Sequence, residues 1–238
     1  MQQNSQHYKL EITRDGMEAY ITLIERKEEE EIEYIIKEIK NVIKVGLLEE
    51  ELIRLLVDKR YGEKTLIAKG IKPIDGKDGY VKFNFDLDKK LAPKVLEDGT
   101  VNYKELDIIN NIKKGELLAE LISSEKGTCG YKVTGESIKY KVGKPPYIKY
   151  SKNISLLENG KDLISEVDGL VKLKGNKIVV SEVFEVQSVG NETGNIYFNG
   201  TVIVRENALN GFNIKAEGDV EIKCVVEGAY IEYKGDII

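Results

Sequence analysis

Few side chains in this sequence have the chemistry for nucleophilic catalysis or for metal binding. The 238 residues include one histidine, His7, and two cysteines, Cys129 and Cys224. A Ser-His or Cys-His nucleophile pair would have to use His7, which lies near the N-terminus. Zinc needs three or four Cys, His or carboxylate ligands, and no short ligand spacing links the two cysteines. We therefore predict no catalytic residue, no metal site and no cofactor, and we expect Cys224 to be a small apolar residue on a strand.

Carboxylates are abundant, and they leave one enzymatic alternative open. The chain has 41 Asp and Glu residues, but no pair of them lies in a recognisable metal-binding or acid–base motif. Spacing along the sequence does not exclude a site that is assembled across strands. An enzyme with a carboxylate-only site is therefore one alternative to a non-enzymatic protein.

The segment from Asp75 to Gly79 has the spacing of a ligand-binding glycine loop. Gly76 and Gly79 enclose Lys77 and Asp78, and a GxxG loop of this kind clamps nucleic-acid backbone in KH domains, where it joins two helices. Here the flanking residues have the alternation of strands, so neither a KH loop nor a phosphate-binding helix N-terminus is expected. We interpret the loop as a tight turn in which Gly76 or Gly79 has a positive φ. Lys77 and Asp78 are then the exposed candidates for binding a partner.

The segment from Lys132 to Lys152 is the one basic region of the sequence. It carries six lysines against a single acid, with tyrosines between them, which is the composition of a groove for single-stranded nucleic acid. Strand surfaces also carry Lys and Tyr for solubility and edge protection, and the net charge of the chain is −5. A nucleic-acid-binding module that uses residues 131–152 is therefore a second alternative. The candidate binding residues in this segment are Lys139, Tyr140, Lys141 and Lys144.

The first 62 residues have the pattern of a hairpin followed by two helices. Alternating apolar residues flank Asp15-Gly16, which is a strong hairpin signal. Isoleucines at helical spacing between Ile32 and Ile43 predict a first amphipathic helix, and leucines predict a second from about Leu48 to Arg60. We therefore expect a small α/β part at residues 1–62.

Residues 63–190 have the two-residue periodicity of strands. Short apolar runs alternate with Gly-containing turns, and no long helical pattern interrupts them. This organisation predicts a barrel- or sandwich-like domain.

Glycines in the last part of the chain, residues 191–238, recur at a nearly constant spacing. Gly211 and Gly228 are 17 positions apart, as are Gly218 and Gly235, and Gly200 precedes Gly218 by 18. Between them lie short alternating apolar runs, which cannot bury an inner face unless neighbouring units stack. We predict the first coils of a β-helix with about 17–18 residues per coil, and glycines of positive φ at its corners. The pattern stops at Ile238, so we expect the open coil end to self-associate.

Composition and charge indicate where such a protein works. The sequence has no apolar run long enough for a membrane span and no signal-peptide pattern at its N-terminus. Two unpaired cysteines fit a reducing compartment. We therefore predict a cytoplasmic protein that is mainly β, with a small α/β N-terminal part and a barrel- or sandwich-like middle that leads into a β-helix.

Four sequence blocks resemble the flagellar assembly protein A family of bacteria. They occur in the expected order and lie at residues 15–21, 66–79, 98–103 and 194–198. The resemblance implies an N-terminal compound region joined to a β-helix, and a scaffolding or regulatory role without a known reaction. Members of this family are usually longer, so we expect this chain to be a fragment. The leading hypothesis is a non-enzymatic scaffold or regulatory module that recognises an unknown protein partner, linked to flagellar or cell-surface assembly.

Overall fold

The structure is a computed structural model that describes residues 7–25, 32–87, 104–106 and 108–238. It also describes the backbone of three short strands at residues 2–4, 94–95 and 101–102. In chain order the elements are β1 Gln2–Asn4, β2 Tyr8–Ile12, β3 Glu18–Leu23, α1 Ile32–Val42, α2 Glu49–Val57, β4 Thr65–Lys69, β5 Tyr80–Phe83, β6 Lys94–Val95, β7 Val101–Asn102, β8 Asn111–Ile112, β9 Leu117–Ile122, β10 Gly130–Tyr131, β11 Ser137–Ile138, β12 Lys149–Tyr150, β13 Ile154–Leu156, β14 Asp162–Ser165, β15 Gly169–Lys174, β16 Lys177–Ser181, β17 Val183–Val186, β18 Ile196–Phe198, β19 Thr201–Val204, β20 Asn213–Ala216, β21 Val220–Ile222 and β22 Tyr230–Tyr233.

The chain forms two compact units that are not consecutive in sequence. The first unit contains Met1–Asp78 and Ser124–Lys144, and the second contains Gly79–Ser123 and Pro145–Ile238. The boundaries expected after residues 62 and 190 do not coincide with these, because residues 124–144 pair with the first unit. The division into segments 1–62, 63–190 and 191–238 therefore stays a prediction about sequence organisation.

The first unit is built on an antiparallel sheet of four strands in the order β1-β2-β3-β4. The predicted hairpin is confirmed, since Tyr8 pairs with Leu23 and Ile12 with Ala19 around a turn in which Gly16 has a φ of 74°. Alternate residues of these strands are buried together with one face of each helix. This core consists of Tyr8, Leu10, Ala19, Ile21, Leu23, Ile35, Ile39, Ile43, Leu52, Leu55, Leu56, Ile67, Ala68 and Val133.

The helices confirm the predicted periodicity, although the second is shorter than expected. It ends at Val57, since Asp58 is its cap and Lys59 takes a left-handed φ of 50°. The two described helices, of 11 and 9 residues, are too short to cross a membrane.

The second unit contains two four-stranded sheets, β13-β14-β9-β5 and β12-β16-β15-β8. Residues from both sheets share one apolar core, for example Leu118 and Leu163 of the first with Val171 and Ile178 of the second. This arrangement is a sandwich. The strand-rich middle that the alternation predicted is confirmed, whereas β4, β10 and β11 of the same stretch lie in the first unit.

The second unit ends in a parallel β-solenoid with three sides. One side is the sheet β17-β19-β21 and the next is β18-β20-β22, whereas the third consists of the bridges that join Val189, Ala208 and Val226. Val202 pairs with Val220, 18 residues later, and Ile214 pairs with Ile231, 17 residues later. Val202, Ile214 and Val220 are buried between coils, and Ile231 is partly buried. The predicted β-helix and its coil length are confirmed.

Corner glycines form two columns that serve different purposes. Gly194, Gly211 and Gly228 have positive φ values between 65° and 79°, as predicted for the corners. The other column contains Gly200, where glycine is needed because neighbouring backbones approach closely. A Cβ atom on Gly200 would lie 2.3 Å from the backbone oxygen of Glu182. The expectation of positive φ was therefore right for the first column and wrong for the second.

Candidate functional site

The structure brings the glycine loop and part of the basic segment together in the first unit. The Asp75 carboxylate accepts a hydrogen bond of 2.8 Å from the backbone N–H of Lys141. Asp78 repeats this arrangement three residues later, where its carboxylate accepts one of 2.7 Å from the N–H of Lys144. The N–H of Gly76 donates to the Lys141 carbonyl at 2.9 Å. Candidate binding residues that are distant in sequence are thus joined by hydrogen bonds into one structural feature.

A third segment completes this feature. Ile71 and Tyr131 exchange two backbone hydrogen bonds of 2.7 and 2.8 Å, and Ile74 and Thr128 exchange two of 2.8 and 2.9 Å. The N–H of Glu125 donates to the Lys77 carbonyl at 3.0 Å. We call the three segments 71–78, 124–131 and 139–144 the loop cluster. Backbone hydrogen bonds, rather than a buried apolar core, connect its segments.

Glycines permit the segments of the loop cluster to approach so closely. A Cβ atom on Gly76 would lie 2.4 Å from the carbonyl oxygen of Glu125, and one on Gly143 would lie 2.1 Å from that of Lys77. Neither Gly76 nor Gly79 has a positive φ, so the prediction of a left-handed glycine in this loop was wrong. Gly76 is required because no side chain fits between the neighbouring backbones.

The predicted binding side chains differ in what they contact. Lys77 is exposed and pairs with Glu125 at 2.9 Å, whereas Lys139, Lys141 and Lys144 are exposed without a described ion pair. Tyr140 is only half-exposed, because its ring covers the backbone of Gly127. The Asp78 carboxylate is exposed as predicted, yet it is held by the Lys144 amide. We infer a structural role for it.

Exposed aliphatic side chains stand among these cations, and sequence reasoning did not single them out. Val142 is 74% exposed and Ile74 is 68% exposed, and Ile71 is also exposed beside Tyr131. Aliphatic residues inside a glycine-rich loop were the signal that could have identified them. The exposed side chains of the loop cluster are therefore both aliphatic and cationic, which are types found in protein-binding surfaces.

The basic segment does not stay together as one surface of either unit. Residues up to Lys144 belong to the first unit, and Lys149, Tyr150 and Lys152 belong to the second. Of the lysines expected to line a groove in residues 131–152, only Lys139, Lys141 and Lys144 therefore lie in the loop cluster.

The two cysteines considered for catalysis and metal binding belong to different units. Cys129 is half-buried inside the loop cluster. Cys224 is exposed and lies outside the strands, so the expectation of a filler residue on a strand was wrong: β21 ends at Ile222 and the chain bends there. Among the described residues no group of three or more His, Cys, Asp and Glu side chains could hold a metal ion.

One carboxyl group in the first unit has a strongly perturbed pKa, and its cause is structural. Glu11 lies between Lys64, at 2.8 Å, and Lys9, at 2.9 Å. Hydrogen bonds from these ammonium groups lower the pKa of Glu11 from 4.5 to about 2. Lys9 lies two residues before Glu11 on β2 and Lys64 directly precedes β4, so local ion pairing accounts for this shift.

Two family models cover most of the sequence. The Flagellar Assembly Protein A N-terminal region matches residues 8–176, and the Flagellar Assembly Protein A beta solenoid domain matches residues 182–238. Of the four resembling blocks, most of residues 98–103 lies outside the described residues. Neither a curated protein nor a solved structure matches the sequence. The solenoid match coincides with the observed coils and the N-terminal match with the hairpin, helices and sandwich, so the chain belongs to the flagellar assembly protein A family.

Proposed function

We propose that the chain is a non-enzymatic scaffold or regulatory module of the cytoplasm that binds a protein partner during flagellar or cell-surface assembly. The observation that carries this proposal is the set of exposed side chains of the loop cluster. It combines exposed Ile74 and Val142 with the ammonium groups of Lys139, Lys141 and Lys144. The family name supports the link to flagellar assembly.

The hydrogen bonds beneath this surface support its use in recognition. Asp75 and Asp78 fix the backbone of residues 141–144 from the opposite segment, so Val142 and its flanking lysines are held in place before a partner arrives. A surface that is already ordered loses little conformational entropy on binding. In this role Lys77, Lys139, Lys141 and Lys144 contact the partner, whereas Asp78 and Tyr140 support the surface.

A pull-down with the 238-residue chain as bait in its native host tests the loop-cluster proposal. We expect a specific partner to be retained, and we expect Val142→Glu combined with Lys141→Glu to reduce its recovery, because both changes oppose an apolar, anionic partner. The matched control is Leu156→Glu combined with Lys161→Glu, which alters one exposed aliphatic residue and one exposed lysine of the second unit. Equal loss with both variants, each still folded, would contradict a role for the loop cluster.

We further propose that the chain self-associates through the last solenoid coil. Ile237 and Ile238 are exposed there, and Ile231 is the last member of the inward column that begins with Ile196 and Ile214. A second copy of the same coil would cover these side chains and pair the open strand edges.

Light scattering on the 238-residue chain tests self-association. We expect a dimer, and we expect Ile231→Lys to shift it toward monomer, because the change places a charge on the inward column. Tyr230→Lys is the matched control, since Tyr230 is the adjacent residue and faces outward at 64% exposure. A protein that stays monomeric at high concentration would refute the proposal.

A further inference from the structure

A row of lysines crosses one sheet of the second unit. Lys149 of β12 pairs with Lys177 of β16, and Lys177 pairs with Lys174 of β15. Paired residues point to the same face, so three neighbouring strands present three ammonium groups side by side. Lys172 lies two residues before Lys174 and therefore extends the row along β15 on that face.

The charges of this row are not compensated within the described part of the chain. All four lysines are exposed, and none forms an ion pair with a described residue. Neighbouring strands are about 4.8 Å apart, and like charges directly opposite each other destabilise a sheet. The solenoid follows the opposite rule, since Lys215 pairs with the cross-strand Glu232 at 2.8 Å. A cationic row without partners is what a binding surface for an anionic ligand requires.

A groove of mixed polarity adjoins the lysine row on the same face. Lys172, Lys174, Val179, Val183 and Phe184 line it together with Ser181 and Glu185, and the Glu185 carboxylate is paired with Arg205. The Phe184 ring is buried and has the Lys172 ammonium 5.9 Å from its centroid, whereas Val183 is 40% exposed. The face therefore offers a few aliphatic contacts beside a line of positive charge, and its one lining carboxylate, Glu185, is neutralised by Arg205.

We propose that this face binds an acidic amphipathic helix of a protein partner. Carboxylates one helical turn apart are separated by about 5.4 Å, close to the spacing of the lysines across the strands. Apolar side chains on the neighbouring stripe of the same helix would contact Val179 and Val183 in the groove. Single-stranded nucleic acid stacks on exposed aromatic rings. The groove's ring, Phe184, is buried, whereas Tyr147 and Tyr150 are exposed beside Lys149, so an oligonucleotide probe tests this alternative directly. This site belongs to the second unit and does not depend on the role of the loop cluster.

Binding of a synthetic peptide to the full 238-residue chain tests this proposal. The probe is an amphipathic helical peptide of about 20 residues, with glutamates one turn apart beside a leucine stripe. Comparison probes are the same peptide with glutamine for glutamate and an oligothymidylate. We expect the acidic peptide to bind in a salt-sensitive manner, and the glutamine peptide and the oligonucleotide to bind more weakly.

The matched variants separate this site from non-specific charge attraction. We expect Lys149→Gln/Lys174→Gln/Lys177→Gln to weaken binding roughly tenfold, since three exposed ion pairs are lost. The control removes the same charge at three exposed lysines elsewhere in the second unit, Lys113→Gln/Lys114→Gln/Lys161→Gln, and should change binding less than about twofold. The row variant should be at least as heat-stable as the unaltered chain, because repulsion between like charges is removed. Absence of peptide binding, equal binding by both variants, or stronger binding of the oligonucleotide would each overturn the proposal.

Discussion

Replacing Gly143 by alanine should destabilise the loop cluster more than any neighbouring surface change. The added Cβ atom would lie 2.1 Å from the Lys77 carbonyl oxygen, whereas ordinary van der Waals contact begins at 3.4 Å. Because backbone lies on both sides of this contact, no side chain can rotate away. The segments that carry Gly143 and Lys77 must therefore separate by about 1 Å.

The size of the effect follows from the hydrogen bonds that flank this contact. Separation would break the bond from the Lys144 N–H to the Asp78 carboxylate, and the one from the Gly76 N–H to the Lys141 carbonyl. A hydrogen bond to a charged group contributes about 1.5–3 kcal/mol, and a neutral one about 0.5–1.5 kcal/mol. We therefore expect a loss of about 2–4 kcal/mol, which lowers the unfolding temperature by roughly 5–15 °C in a chain of this size.

Thermal unfolding and amide hydrogen exchange together measure this loss. In Gly143→Ala the amides of Gly76 and Lys144 should lose protection, because their acceptors are displaced. The control is Gly160→Ala: Gly160 has a φ of 66° and open space around it, so only the backbone strain of about 1 kcal/mol applies. Equal stability of Gly143→Ala and the unaltered chain would refute the reasoning, because it would mean that backbone contact does not hold the loop cluster together.

Two further predictions concern charged groups of the first unit. Asp78→Ala should lower the free energy of unfolding by about 1–3 kcal/mol, because the Lys144 amide loses its acceptor. Lys77→Ala removes only an exposed ion pair and should lower it by less than about 1 kcal/mol. Urea unfolding of both variants measures the two losses. Equal costs would contradict the structural role of Asp78. The folded-state pKa of Glu11 is depressed to about 2. The stability that ionised Glu11 contributes to the folded chain is therefore fully present above pH 4.5, and it is lost as the pH falls from there toward 2. Glu11→Gln should therefore lower stability at pH 7, and the difference should shrink as the pH falls toward 2 and vanish below it. A pH-independent difference in unfolding midpoint would show that ionisation of Glu11 is not involved.

Short-range sequence patterns predicted most of the fold of this chain. The solenoid was predictable because each coil repeats one strand–corner unit, so the spacing from Gly211 to Gly228 directly gives the coil length. The hairpin around Gly16 was predictable for the same reason, since its two strands and its turn are contiguous. In both cases the residues that determine the structure lie within one repeat or one turn of each other.

Contacts between distant segments decided the candidate sites. Asp75 and Lys141 are 66 residues apart, and the lysine row needs strands β12, β15 and β16 to pair in one register. A shift of one residue would move Lys177 to the other face of its sheet, and no local pattern specifies that register across such separations. The sequence by itself therefore determined the hairpin, the helices and the coil repeat. Only the tertiary structure decided that Gly76 is needed for close approach, that Asp78 supports a backbone segment and that three lysines stand side by side, because each depends on which distant backbones come into contact.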